Sequence, residues 1–138
     1  MQVITWTTDN QLFGLPIHFC KEISENVSIE NIPGSEEHIV GLTNIRGEVL
    51  TVVNVSQKSR DFSNEGSMEA VVVRLKEDDI AILIDKIDEI IDMDIKDESK
   101  LSGESNTHLN QFRSNLINFE NQVINLLEPN LLEFNEKN

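Results

Sequence analysis

Residues 41–55, GLTNIRGEVLTVVNV, carry the reading that decides the fold. Leu42, Ile45, Val49, Leu50, Val52, Val53 and Val55 give the stretch its apolar, mostly β-branched bulk, and Arg46-Gly47 interrupts it once. β-branched side chains suit a pleated, half-buried surface, so the stretch reads as two strands joined by a tight turn. Gly47 fits a turn position of positive φ because it has no Cβ to clash, and Arg46 beside it is a permanent cation that a turn holds near solvent. The hairpin therefore fixes one positive charge at the tip of a stiff element.

Working outward, the same signature recurs. Val3–Thr7 and Leu12–Ile17 flank Asp9-Asn10, with Pro16 confined to a strand end or an edge because it donates no ladder hydrogen bond. His18–Ile23 continues as an extended or short helical piece, and Asn26–Ile32 is another candidate strand. Residues 33–37, Pro-Gly-Ser-Glu-Glu, read as a turn and one helical turn capped by Ser35. Residues 56–67 (SQKSRDFSNEGS) are polar and read as the most flexible internal connection, dividing the chain nearly in half. A third hairpin runs over Met68–Leu75 and Ile80–Ile84, followed by an apolar stretch with interspersed acids, Ile87–Ile95. The polar segment 96–111 reads as loop, and Leu116–Phe119 with Gln122–Leu127 forms a fourth hairpin around Glu120-Asn121. Pro129 suits the first position of a short amphipathic C-terminal helix through Phe134.

The halves match one another in two blocks. An offset of 67 pairs Leu15 with Ile82, Ile17 with Ile84, Cys20 with Ile87, Glu22 with Glu89 and Ile23 with Ile90. An offset of 74 pairs Leu42 with Leu116, Asn44 with Asn118, Val49 with Val123, Leu50 with Ile124 and Val52 with Leu126, and sets Arg46-Gly47 against Glu120-Asn121. Sliding β-rich sequences always pairs some aliphatics, but the shared Glu and Asn point to an all-β unit of about five short strands used twice. Each copy alone is too small for a comfortable core, which favours two small barrels sharing a packed interface.

Composition removes several classes of function. With 25 acidic and 11 basic side chains in 138 residues the net charge is −14, which repels a nucleic-acid backbone and an anionic membrane surface alike. No run of apolar residues is long enough to span a bilayer, and residues 1–6 (MQVITW) lack a basic segment ahead of a long apolar one, so neither export nor insertion is expected. The single cysteine, Cys20, excludes an internal disulfide and fits a reduced thiol packed as a small hydrophobe. His18, His38 and His108 have no second histidine or cysteine at ligand spacing, which speaks against zinc. Asp85, Asp88, Asp92 and Asp94 lack the glycine and closing glutamate of a calcium loop and read as acids on the wet face of strands. Phosphate-cradling glycine loops, nucleophile elbows and a partnered triad are all missing, so neither an enzyme nor a cofactor is expected. Arg46 remains: in so acidic a chain it suits capture of a carboxylate, either internally from Glu22 or from a partner.

The segment Gly41-Leu42-Thr43-Asn44-Ile45-Arg46-Gly47-Glu48-Val49-Leu50 resembles the glycine, asparagine, aliphatic-Arg-Gly signature of the CheW-like family of bacterial chemotaxis coupling proteins. Phe13–Ile17 with Cys20-Lys21-Glu22-Ile23, then Ala81–Ile87, then Val123–Leu132, agree with further segments of that family in order and spacing. The resemblance implies a single domain over 1–138, built as two tandem SH3-like β-barrels with a short C-terminal helix, one barrel over about 12–67 plus a terminal strand and the other over about 68–127. It also implies a cytoplasmic, non-catalytic adaptor recruited to receptor arrays, with two partners: the regulatory domain of the histidine kinase CheA and the cytoplasmic tip of a methyl-accepting chemoreceptor. Residue by residue, it places Arg46 and Glu22 near the receptor groove, with Gly41, Asn44 and Gly47 as support and Cys20 where the family has a valine. Thr51, Asn54 and Asn115 depart from the family's usual proline, aspartate and glycine. Read without the resemblance, the residues leave open a small β-barrel module that anchors an anionic or neutral ligand on Arg46.

Overall fold

The computed structural model describes residues 1–32, 39–55, 68–75, 78–94, 100–104 and 112–129, with backbone alone for 100–104 and for Arg113. Among the described residues there are twelve strands: β1 Gln2–Thr8, β2 Gln11–Pro16, β3 Cys20–Ser24, β4 Glu30–Asn31, β5 Ile39–Ile45, β6 Glu48–Val53, β7 Glu69–Val73, β8 Ile80–Ile84, β9 Glu89–Asp92, β10 Lys100–Glu104, β11 Phe112–Phe119 and β12 Gln122–Pro129. A 3-10 turn at Ile17–Phe19 joins β2 to β3. The all-β expectation holds, and all four hairpins are present.

The turns have a common physical basis. Asp9 and Asn10, Arg46 and Gly47, and Glu120 and Asn121 all have positive φ, the two-residue geometry whose twist matches that of the flanking strands. Asn and Asp tolerate this region better than other side chains, and Gly has no barrier to it.

Sheet I is ordered β10-β11-β12-β2-β1-β9, and sheet II β4-β5-β6-β8-β7-β3. The two orders are the same once each strand is exchanged for its copy in the repeat, and the ladders agree to the residue. Ile4 lies opposite Leu15 and Val71 opposite Ile82, both offset by 67. Thr43 faces Leu50 and Ile117 faces Ile124, both offset by 74. The parallel bridges combine the two: Thr51 with Ile80 in sheet II corresponds to Asn125 with Phe13 in sheet I. Even the exposed aliphatics repeat, Ile23 with Ile90 and Val49 with Val123.

Two findings differ from the expectation. Neither sheet closes on itself among the described residues, since β3 and β4, or β9 and β10, end their sheets unpaired with one another; closed barrels are not what the ladders draw. Nor do the sheets part at 67/68, because β7 and β8 sit beside β6 and β3, while β1 and β2 sit between β12 and β9. Each sheet thus takes one antiparallel pair, β1–β2 or β7–β8, from the other half of the chain.

Segment 96–111, read as loop, contributes β10. Its few apolar residues hid an edge strand that is specified by pairing to β11 rather than by its own composition. Asn26–Ile32 yields only β4, and Pro129 closes β12 opposite Phe112 instead of opening a helix. The helix expected after it, the capped turn at 33–37 and the connection 56–67 lie outside the described residues.

Three clusters form the core. Ile4, Trp6, Phe13 and Leu15 of sheet I meet Val71, Val73, Ile80, Ile82 and Ile84 of sheet II, and Trp6 stacks on Phe13 with centroids 6.1 Å apart. On the far face of sheet II, Ile45, Leu50, Val52, Ala70, Val72, Ala81 and Leu83 cluster; on the far face of sheet I, Val3, Ile117, Ile124 and Leu126 do so. β7 and β8 are therefore covered on both faces, which is why they read as unbroken apolar runs.

Candidate functional site

The β5–β6 turn places its residues beside β3. Arg46 and Gly47 have φ of 52° and 84°, and the Gly47 amide donates to Asn44 Oδ1 at 3.0 Å, so Asn44 braces the turn that carries the arginine. Arg46 Nε donates to both carboxylate oxygens of Glu22, at 3.1 and 3.2 Å. Glu22 is 25% exposed and Arg46 79%: the acid is embedded in the wall and the guanidinium lies over it in solvent. Such a pair contributes little to stability, about 0–1 kcal/mol, because solvent screens it. Its consequence is geometric, for it fixes where the charge sits.

Beside the pair runs an open groove of about 520 Å³, between Ser24, Val27 and Ser28 on one side and Asn44, Ile45 and Arg46 on the other. Gly41 lies further back on β5, against β4. It lies opposite Asn31, and a Cβ there would run into the Glu30 backbone carbonyl, so only glycine lets β4 approach. Four of the six expected residues, Glu22, Asn44, Arg46 and Gly47, are thus drawn together at the β5–β6 turn, while Gly41 stands back along β5.

Cys20 is not among them. It lies opposite Val73 whereas Glu22 lies opposite Val72, so Lys21 is an extra residue in the ladder and a β-bulge separates the two. Val73 belongs to the core between the sheets and Val72 to the far-face core of sheet II. The bulge thereby turns Cys20 and Glu22, two residues apart, to opposite faces. Burial pushes the Cys20 thiol up, the Glu22 carboxylate adds to this, and Arg74 opposes it. Cys20 is a packing residue held in its protonated form.

Two contributors escaped the sequence reading. Thr43, buried on β5, donates its hydroxyl to the Ser28 carbonyl at 2.6 Å and ties the groove's far wall to its near one. The signal was a lone threonine at an inward strand position. Lys21 reaches Asp79 at 2.8 Å and Glu48 at 3.9 Å, pinning β3 to the β7–β8 connection and to β6. Nothing marked it, because its outward direction follows from the bulge. The Asp79 contact raises the Lys21 pKa. Among the described residues no group of three or more acids, histidines or cysteines could hold a metal ion, and no helix is long and apolar enough to cross a membrane.

The model of the CheW-like domain family matches residues 2–133. The chain belongs to that family. Among curated relatives, the chemotaxis protein CheW of Treponema pallidum is 24% identical over 98 residues, 65% of this chain and 56% of the relative. The chemotaxis protein CheW of Thermotoga maritima is 24% identical over 87 residues, 62% of this chain and 58% of the relative. The aligned stretches span little more than half the length of these curated relatives. Among solved structures, the scaffolding protein TtCheW of Thermoanaerobacter tengcongensis superposes with a TM-score of 0.69 at 19% identity, over 92% of this chain and 88% of that one. That likeness concerns the fold. The family resemblance of the Gly41–Leu50 segment is borne out, and the segment forms the turn and groove described above.

Proposed function

We propose that this CheW-like protein is a non-catalytic adaptor of a chemotaxis complex, joining the cytoplasmic tip of a methyl-accepting chemoreceptor to the regulatory domain of the histidine kinase CheA. The observation that carries the reading is the family match over nearly the whole chain. The receptor side is assigned to the groove beside Arg46 and Glu22, with Asn44, Gly41 and Gly47 as its frame and Cys20 as the packing residue behind the strand. The domain works as one unit of two SH3-like halves, each organised around the far-face cluster of its sheet and joined through the core between the sheets, and it acts in the cytoplasm at membrane-associated receptor arrays. A module for a small anionic ligand is less well supported: Glu22 already engages Arg46, and Glu25 adds a second acid to the same groove.

Affinity capture with the full-length protein tests the reading. A histidine kinase and a chemoreceptor should be retained together, and Arg46→Glu should keep the fold while losing the receptor. A folded Arg46→Glu protein that retains the receptor at wild-type level refutes the site. Failure to retain either partner refutes the function.

A further inference from the structure

We propose that a one-residue insertion, Asn26, opens the groove beside the β5–β6 turn, and that Asn26 and Thr43 together set its width and so its selectivity for the receptor tip. This rests on the adaptor reading and adds the residues that shape the site. β3 and β4 follow one another in the chain but lie at opposite edges of sheet II, so residues 25–29 cross the far face of the sheet as a strap. Val27 and Ile29 pack from the strap against the far-face cluster, while Asn26 and Ser28 stay exposed. Together with Ser24, the first residues of the strap form one wall of the groove.

The repeat shows the course this wall takes without the insertion. Ile23 lies opposite Val71 on β3, and its copy Ile90 lies opposite Ile4 on β9. Beyond these positions each segment is tied back by one backbone bond to the residue just before the neighbouring strand. The Val27 amide donates to the Met68 carbonyl at 3.2 Å, and the Met93 amide to the Met1 carbonyl at 2.9 Å. Met1 and Met68 are copies at the offset of 67, but the residue 67 beyond Val27 is Asp94, not Met93. The tie falls four residues after Ile23 and three after Ile90, so sheet II carries one residue more. That surplus is taken up at Asn26, whose φ of 56° is left-handed, a region asparagine tolerates. In sheet I the shorter course brings Met93 into the far-face cluster, where it is buried.

The displaced wall is then fixed from both sides of the sheet. The Val27 tie holds it to the start of β7, and the buried Thr43 hydroxyl, donating to the Ser28 carbonyl at 2.6 Å, holds the next residue to β5. A wall pinned at two consecutive residues has little freedom left to lose when a partner enters, which favours one width of groove over others. Thr43 is thus a positioning residue, acting through Ser28. Ser24, Asn26 and Ser28 line the wall with two hydroxyls and an amide, groups that read hydrogen-bonding partners and the fit of the entering segment.

The test uses the full-length protein in calorimetric titrations against two probes from the same cell, the purified cytoplasmic hairpin of a methyl-accepting receptor and the regulatory domain of the histidine kinase. Deletion of Asn26 gives the strap the length that serves sheet I. The variant should fold, bind the kinase domain within about twofold of wild type and lose the receptor hairpin by about tenfold or more. Asn26→Gly keeps both the length and the left-handed backbone and should bind each probe within about threefold of wild type. Thr43→Val removes the tie at nearly constant shape and should weaken the receptor alone, by about threefold or more, whereas Thr43→Ser keeps the hydroxyl and should restore it. The buried Trp6 reports folding of each variant, and should the deletion fail to fold, the Thr43 pair decides. A folded deletion variant or a Thr43→Val protein that holds the receptor as wild type does overturns the proposal while leaving the adaptor reading intact. Equal loss of both probes overturns it too, since a general effect on the fold would then be the cause. Absence of receptor binding by the wild-type protein overturns the adaptor reading itself.

Discussion

Gly14 offers the most demanding test of the duplicated architecture. It is buried in β2, and a Cβ built there would lie 2.8 Å from Val3 Cγ1 and 3.1 Å from Ile124 Cγ2. Its counterpart in sheet II is Ala81, which has that Cβ, and the counterparts of Val3 and Ile124 are Ala70 and Leu50. Sheet II thus makes room for a methyl group by shortening the diagonal neighbour on the adjacent strand. In Gly14→Ala, overpacking of about 1–3 kcal/mol is offset by about 0.4–1 kcal/mol from the stiffer unfolded chain, leaving a loss of about 1–2 kcal/mol. Val3→Ala removes two methyl groups from a site with no solvent exposure. At about 0.8 kcal/mol per group plus a cavity term, it should cost about 2–3 kcal/mol. In the double variant the methyl group added in place of the Gly14 hydrogen enters the space that Val3 leaves, so its cost should fall at least ~1 kcal/mol below the sum of the single losses. Urea denaturation followed by fluorescence is the assay, because Trp6 is the only tryptophan and lies in the core between the sheets. Additivity within about 0.5 kcal/mol would show that the two sites do not share a packing volume, and would refute the claim that the sheets are copies fitted by compensating size changes.

Other expectations follow from single contacts. Gly41→Ala should be among the most damaging single changes, costing about 3 kcal/mol or more, because its Cβ meets backbone at Glu30; hydrogen exchange should show β4 released from β5. Gly47→Asn should stay within about 0.5 kcal/mol of wild type in thermal melts, since Asn121 occupies the same left-handed position, whereas Gly47→Val should lose about 1–2 kcal/mol. Thr43→Val leaves the Ser28 carbonyl without its 2.6 Å donor and should cost about 1–3 kcal/mol, read by urea denaturation. The Cys20 thiol, raised by burial and by Glu22, should react with a disulfide reagent more slowly than a free thiol and keep accelerating to higher pH. Glu22→Gln should speed that reaction and Arg74→Ala should slow it further, because the acid raises the thiol and the arginine lowers it.

Much of this molecule was legible along the chain, and the legible parts are local. The hairpins at Asp9-Asn10, Arg46-Gly47 and Glu120-Asn121 could be located because residues that tolerate positive φ interrupt β-branched runs. The two offsets could be found because the repeats keep inward positions apolar, and the ladders reproduce them. Charge alone left Arg46 two possible carboxylates, Glu22 or a partner's, and the fold supplies the internal one. β10 could not be read, since an edge strand is stabilised by its neighbour and five residues of Lys-Leu-Ser-Gly-Glu carry no strand pattern.

The sequence by itself determined the class of structure, the turns, the duplication and the position of the turn cation, Arg46, whose copy in the repeat is an acid. Only the tertiary structure decided which half supplies which sheet. That choice is made by the parallel bridges between β6 and β8 and between β12 and β2, which join residues far apart in the chain and leave no local mark. Only the tertiary structure, too, set Cys20 and Glu22 on opposite faces. One extra residue in the β3 ladder reverses the direction of every side chain beyond it, and period-two reading of a strand has no means of seeing such an insertion before its partner is known.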